Sequence, residues 1–169
     1  MRAQFSKVLV ALSLAACGGP TQARPAAPAT TTAAPHHRQG LKIGLASVYV
    51  DDQAKALRFY TEVLGFAKKT DETNGNYRWL TVASSDDLDG TQLQLAMTDE
   101  PATRALQQAL FAQDKPAVMF FTDDVKASYE RIKARGAEFT MPPTDVTFAT
   151  IAMVKDTCGN LVQITELAR

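Results

Sequence analysis

The chain has 169 residues, 46% of them hydrophobic, with 18 Lys and Arg against 18 Asp and Glu. That balance, with no basic block or stripe, excludes a nucleic-acid-binding surface. Of the two Cys, Cys17 and Cys158, only Cys158 falls in the part with regular apolar periodicity, so the folded region carries no internal disulfide.

In chain order, Arg2 and Lys7 form a short basic segment ahead of the apolar run Val8 to Ala16. Such a run suits a signal peptide and is too short to span a bilayer as a helix. It ends in Leu14-Ala15-Ala16-Cys17-Gly18, which resembles a bacterial lipobox. The resemblance implies a signal over 1–16, lipidation at Cys17 and a protein anchored to the membrane of the bacterial cell envelope. Gly18 behind the Cys implies the periplasmic face of the outer membrane, where the host has one. An ordinary secretory signal cut after small residues is the alternative. Losing Arg2 and Lys7 from 18 basic residues leaves 16 against 18 acidic ones. Residues 17–40 are rich in Pro, Ala and Thr and read as a linker, about 25–30 Å in reach as a flexible coil. His36 and His37 lie in it without rigid neighbours, which suits a solvated tether better than a metal site.

Residues 41–169 form one domain. Leu41 to Val50 reads as a strand, and Asp52 as the N-cap of a helix with Ala56, Leu57, Tyr60, Val63 and Leu64 in its apolar stripe. Gly65 ends that helix. Strands follow at Phe66 to Thr70, Tyr77 to Ser84 and Thr91 to Ala96, with Asn74-Gly75-Asn76 as a turn. This first module covers about 41–98, and a connecting helix over 99–114 opens at Asp99-Glu100-Pro101. The second module, about 115–168, repeats the order. It has a strand at Ala117 to Phe121, a helix capped by Asp124 and ended by Gly136, and strands at Phe139 to Met141, Val146 to Val154 and Leu161 to Ile164.

The two halves echo each other in detail. Asp51-Asp52 recurs as Asp123-Asp124, and Gly90-Thr91-Gln92-Leu93-Gln94-Leu95 matches Gly159-Asn160-Leu161-Val162-Gln163-Ile164. Two tandem β-α-β-β-β modules make an α+β fold with a cleft as the expected place of function. Asp51, Asp52, Asp123 and Asp124 are better read as helix caps than as metal ligands.

Phe59-Tyr60-Thr61-Glu62-Val63-Leu64-Gly65-Phe66 resembles the "FYxxxLGF" signature of the vicinal oxygen chelate superfamily, which holds glyoxalases, extradiol dioxygenases and bleomycin-resistance proteins. Asp156-Thr157-Cys158-Gly159-Asn160-Leu161 resembles its closing "DPxGN" turn. The match spans about 41–168 and is nearest to bacterial glyoxalase-like proteins. It implies curled mixed sheets around a cleft, the glyoxalase/bleomycin-resistance fold. In metal-dependent members, the resemblance further implies His or Glu ligands on the first and last strands of the modules. The matching positions here are Leu45, Gln94, Ala117 and Gln163, and no His occurs anywhere in 41–169. Leu and Ala cannot ligate, and a Gln carbonyl is a weak ligand. No metal site and no cofactor are therefore expected.

Strand alternation places Ser47, Tyr49, Gln92, Gln94, Met119, Phe121 and Gln163 on the cleft side, with Trp79 as a further aromatic candidate. These amide, hydroxyl, thioether and aromatic groups suit a small apolar or aromatic molecule. Alternatively Met119, Phe121 and Trp79 fill a collapsed core, and Gln94 and Gln163 hydrogen-bond each other across the pseudo-twofold axis. Cys158 has no His to activate it as a nucleophile. The expected function is metal-independent small-molecule binding of the bleomycin-resistance type, with no catalytic residue assigned. A metal-dependent lyase, isomerase or dioxygenase is the alternative enzyme reading. A protein-contact role in the envelope and a homodimer stay open in the sequence.

Overall fold

The computed structural model describes residues 40–168. The expectations for the signal segment, for Cys17 and for the linker up to residue 39 lie outside the described residues. The first module builds one four-stranded sheet. Strand β1 (Leu45–Val50) leads to Asp52, whose carboxylate accepts from the Ala54 and Lys55 N–H groups at 2.8 and 2.9 Å and starts α1 (Gln53–Arg58). The helix widens over Phe59–Val63 into a π-turn, where the Leu64 N–H donates to the Phe59 carbonyl, and Gly65 leaves it at φ +93°. Strands β2 (Ala67–Asn74), β3 (Tyr77–Ala83) and β4 (Gln92–Met97) complete the sheet in the order β1-β4-β3-β2, with β1 parallel to β4.

Helix α2 (Pro101–Ala112) connects to the second module. There β5 (Val118–Phe121), α3 (Val125–Ala134), β6 (Phe139–Val146), β7 (Ala149–Lys155) and β8 (Leu161–Leu167) give the equivalent order β5-β8-β7-β6. Asp124 caps α3 through the Ala127 N–H at 2.8 Å. The two mixed sheets with few helices are the expected α+β fold, and neither sheet closes.

Several boundaries differ from those read in the sequence. β1 starts at Leu45 rather than Leu41, since its parallel pairing with β4 begins at Leu45 opposite Gln92. β6 runs on through Pro142 and Pro143 to Val146, where the pattern predicts a break after Met141. β6 is an edge strand, so prolines that offer no N–H remove no bond from a neighbour on the free side, and two register shifts absorb them. The caps are Asp52 and Asp124, whereas Asp51 faces the Cys158 thiol instead of capping.

One apolar core serves both modules, with Val48, Tyr60, Leu80 and Leu95 of the first packed in one cluster with Val125, Val154, Val162 and Ile164 of the second. Phe66 meets Phe120 across the seam at 4.7 Å between ring centroids. A buried polar knot lies beside these contacts. The Tyr49 carbonyl oxygen, near the end of β1, accepts from Gln107 Nε2 of α2 and from Asn160 Nδ2 of the closing turn, both at 2.8 Å. Gln107 Nε2 also lies within reach of the Cys158 carbonyl (2.8 Å) and Asn160 Oδ1 (3.1 Å). Asp156 Oδ1 accepts from the N–H groups of Cys158 and Asn160, while its Oδ2 accepts from Asn160 Nδ2 and, at 3.4 Å, from the Tyr60 hydroxyl of the π-turn.

Gln107 is the donor that ties the connecting helix into this knot. Gln107→Ala leaves the Cys158 carbonyl and Asn160 Oδ1 short of a donor, an expected loss of about 1–3 kcal/mol. Urea unfolding checks it: the midpoint falls and the slope stays the same.

Candidate functional site

One face of the first sheet follows from register. Ser47, Gln94 and Thr81 stand opposite one another on β1, β4 and β3. The Ser47 hydroxyl donates to Gln94 Oε1 at 2.9 Å, and Gln94 Nε2 donates to the Tyr77 hydroxyl at 2.8 Å. Beside them, the Thr81 hydroxyl donates to Gln92 Oε1 at 2.7 Å. Trp79 lies half-buried two residues from Tyr77, with ring centroids 6.4 Å apart. Tyr77 and Thr81 are members of this constellation that the sequence reading passed over. The matching parity of Tyr77, Trp79 and Thr81 along β3 was the signal for them.

On the second sheet Met119 stands opposite Gln163, and Phe121 opposite Thr165. Met119 and Phe121 are 55% and 67% exposed, which overturns the reading in which they fill a collapsed core. Gln163 Nε2 donates to the Thr165 hydroxyl at 3.0 Å. The two glutamines do not meet across the pseudo-twofold axis, because Gln94 is bonded within the first sheet and Gln163 within the second.

Two cavities open along the seam between the modules. The first, about 360 Å³, is bounded by Ala46, Val82 and Gln92 from the first sheet, Phe66 beyond the π-turn, and Val118, Met119, Phe120 and Phe121 from β5. Successive residues such as Met119 and Phe120 point to opposite faces of a strand, so this cavity wraps the strand rather than covering one face. Both β1 and β5 are terminal strands of their sheets, which explains how such a wrapped cavity arises. Of the residues predicted for the cleft, Gln92, Met119 and Phe121 line it, while Ser47, Tyr49, Trp79, Gln94 and Gln163 do not. The second cavity, about 370 Å³, shares Phe66, Ser84, Phe120 and Phe121 with the first and adds Asp86, Asp123, Ser128 and Arg131.

The donor set does not fit the metal that the resemblance implies for its metal-dependent members. Leu45 is a surface aliphatic side chain, Ala117 packs against the core, and the Gln94 oxygen is already engaged by Ser47. Among the described residues no three His, Cys, Asp or Glu side chains gather as a metal-holding group.

The strongly shifted groups belong to the knot. Burial pushes the Cys158 thiol up to about 12, with Asp51 and Asp156 adding to it, so the thiolate needed for nucleophilic attack is suppressed. Burial also raises the Asp156 carboxyl above its usual range, against the hydrogen bonds from Asn160, Cys158 and Tyr60. Tyr60 is raised well above a free phenol, first by burial and then by Asp156.

Comparison with known proteins places these features. The model of the Glyoxalase/Bleomycin resistance protein/Dioxygenase superfamily matches residues 42–164. The uncharacterised protein YurT of Bacillus subtilis (strain 168) is 46% identical over 126 residues, covering 75% of this chain and 99% of YurT. The crystal structure of UcmS2 superposes with a TM-score of 0.66 at 28% identity, covering 75% of this chain and 98% of its own. That of TnmS3, an antibiotic binding protein from Streptomyces sp. CB03234, gives 0.62 at 28% identity, covering 78% and 100%.

A carboxyl whose folded-state pKa is raised contributes stability that is complete below its unfolded value, near 4, and is lost as pH rises through the folded value. Relative to Asp156→Asn, the native chain is therefore expected to be more stable at pH 4 than at pH 7. Urea midpoints of both proteins at several pH values check this, and a gap that does not move with pH contradicts it.

Proposed function

The chain belongs to the Glyoxalase/Bleomycin resistance protein/Dioxygenase superfamily, and from that premise we propose that it is a metal-independent, lipid-anchored protein that binds a small apolar or aromatic molecule. The observation that carries this reading is the seam cavity of about 360 Å³. Three phenyl rings, Met119 and two valines supply its apolar wall, Gln92 supplies an amide, and among the described residues no titratable side chain lines it. That composition matches a small-molecule pocket, apolar with few polar groups to orient the guest. Acid–base chemistry needs a titratable group within hydrogen-bond reach of the reacting atom, and this wall offers none. The vacant ligand positions at Leu45 and Ala117 support the same conclusion, as does the antibiotic-binding role of the structurally similar TnmS3.

Binding to the native state raises apparent stability. Thermal melts of the full-length chain against a panel of aromatic and aliphatic compounds are expected to show saturable shifts for aromatic members. Phe121→Ala reduces them, while zinc, nickel, iron and manganese salts leave the melting temperature unchanged. A panel without one shift, or stoichiometric metal in the purified protein, sinks the reading.

The anchoring half of the proposal rests on Leu14-Ala15-Ala16-Cys17 behind a short apolar run. Several acyl chains at one Cys hold a protein stably at a bilayer where a single chain does not. Cys17→Ser is expected to move the protein from the membrane fraction of a producing bacterium to the soluble envelope fraction. An unchanged distribution between the two fractions contradicts anchoring through this residue.

A further inference from the structure

The second seam cavity is unlike the first in charge. Arg131 of α3 lies on one wall, and its guanidinium donates to the Ser128 hydroxyl at 3.2 Å. Ser128 is 3% exposed and lies 3.0 Å from the half-buried Thr122 hydroxyl, so the guanidinium is held on one side by a serine that is itself anchored. A guanidinium presents five N–H donors, and the Ser128 bond uses one of them. From the other module, Asp86 lines the same space on the loop between β3 and β4, and it makes no ion pair or hydrogen bond among the described residues. Asp123 also lines the space but is engaged by a partner of its own. Phe120 and Phe121 continue from this cavity into the apolar one.

These opposite charges decide which head group fits. A purely anionic head group meets the guanidinium but also the Asp86 carboxylate, and a purely cationic one meets the reverse. A head group with both charges satisfies each wall, and an apolar body attached to it reaches the phenyl rings. We propose that the polar seam cavity binds the ammonium and carboxylate of a zwitterionic molecule, with Arg131 taking the carboxylate and Asp86 the ammonium, while its aromatic or aliphatic body enters the apolar cavity. The ligand class is thus that of amino acids and related zwitterions bearing an apolar group. This rests on the small-molecule-binding reading above and specifies the polar end of its guest. Charge-assisted hydrogen bonds to the two ends provide the discrimination.

Isothermal titration of the full-length chain with four compounds that share a phenyl group tests it: L-phenylalanine, 3-phenylpropionate, 2-phenylethylamine and the neutral 2-phenylethanol. L-phenylalanine is expected to bind at least about tenfold more tightly than either singly charged compound. Arg131→Gln removes its advantage over the amine, and Asp86→Asn its advantage over the acid. Both side chains are exposed, and far-UV circular dichroism confirms that the variants fold. Equal binding of the zwitterion and the singly charged compounds, or unaltered preference in both variants, overturns this inference alone. Failure of all four compounds, together with a silent panel of aromatic compounds, overturns the underlying binding function as well.

Discussion

The fold depends on one backbone carbonyl. The Tyr49 oxygen is part-buried near the end of β1, where leaving a carbonyl unpaired costs up to about a lost hydrogen bond. It is satisfied by Gln107 from the connecting helix and Asn160 from the closing turn of the other module. That double acceptance forces three distant stretches of chain to one point. Asp156 extends it to the π-turn through Tyr60, so the turn between β7 and β8 of the second module is held against the first helix of the first module. No buried side-chain nitrogen or oxygen among the described residues is left without a partner. A satisfied network of this kind specifies one arrangement, because any slip leaves several groups unpaired at once.

The cavities follow from that arrangement. With the modules pinned at the Tyr49–Asn160 end, their apolar faces pack into a single core there. Farther along, around Phe66, Phe120 and Phe121, the terminal strands β1 and β5 leave room. The π-turn contributes directly, since its extra residue per turn precedes Gly65 and the chain then delivers Phe66 to the seam. One geometric event therefore places a phenyl ring in the core contact and in both cavities. The sequence retains the repeat's caps and turns, while the positions that the resemblance gives for metal ligands hold Leu45, Gln94, Ala117 and Gln163.

Much of the fold was legible because its signals are local. Asp52 and Asp124 precede apolar stripes and cap their helices through N–H groups two or three residues away. Gly65 and Gly136 end those helices at positive φ, where a side chain would be strained. Strand alternation also put Met119 and Phe121 on one side of their strand, and both are exposed. The site was less legible. Phe66 and Phe120 are half-buried against the core and also wall the cavities, a double role that a period-two pattern cannot express. Gln107 and Arg131 stand on helices, and nothing in their neighbouring residues marks either for the contact it makes. The strand through Pro142 and Pro143 escaped because edge position, unlike alternation, is not written in neighbouring residues.

By itself, then, the sequence determined the two-module repeat, the helix boundaries set by caps and glycines, and the faces of the strands. Each of these depends on residue identity and short-range spacing. Only the tertiary structure decided that Tyr49, Gln107 and Asn160 meet, that the two glutamines stay apart, and that cavities open at the seam rather than on the sheet faces. These depend on how two rigid modules settle against each other. That is set by burying a shared apolar core while leaving no buried polar group unpaired, a condition on contacts between residues tens of positions apart.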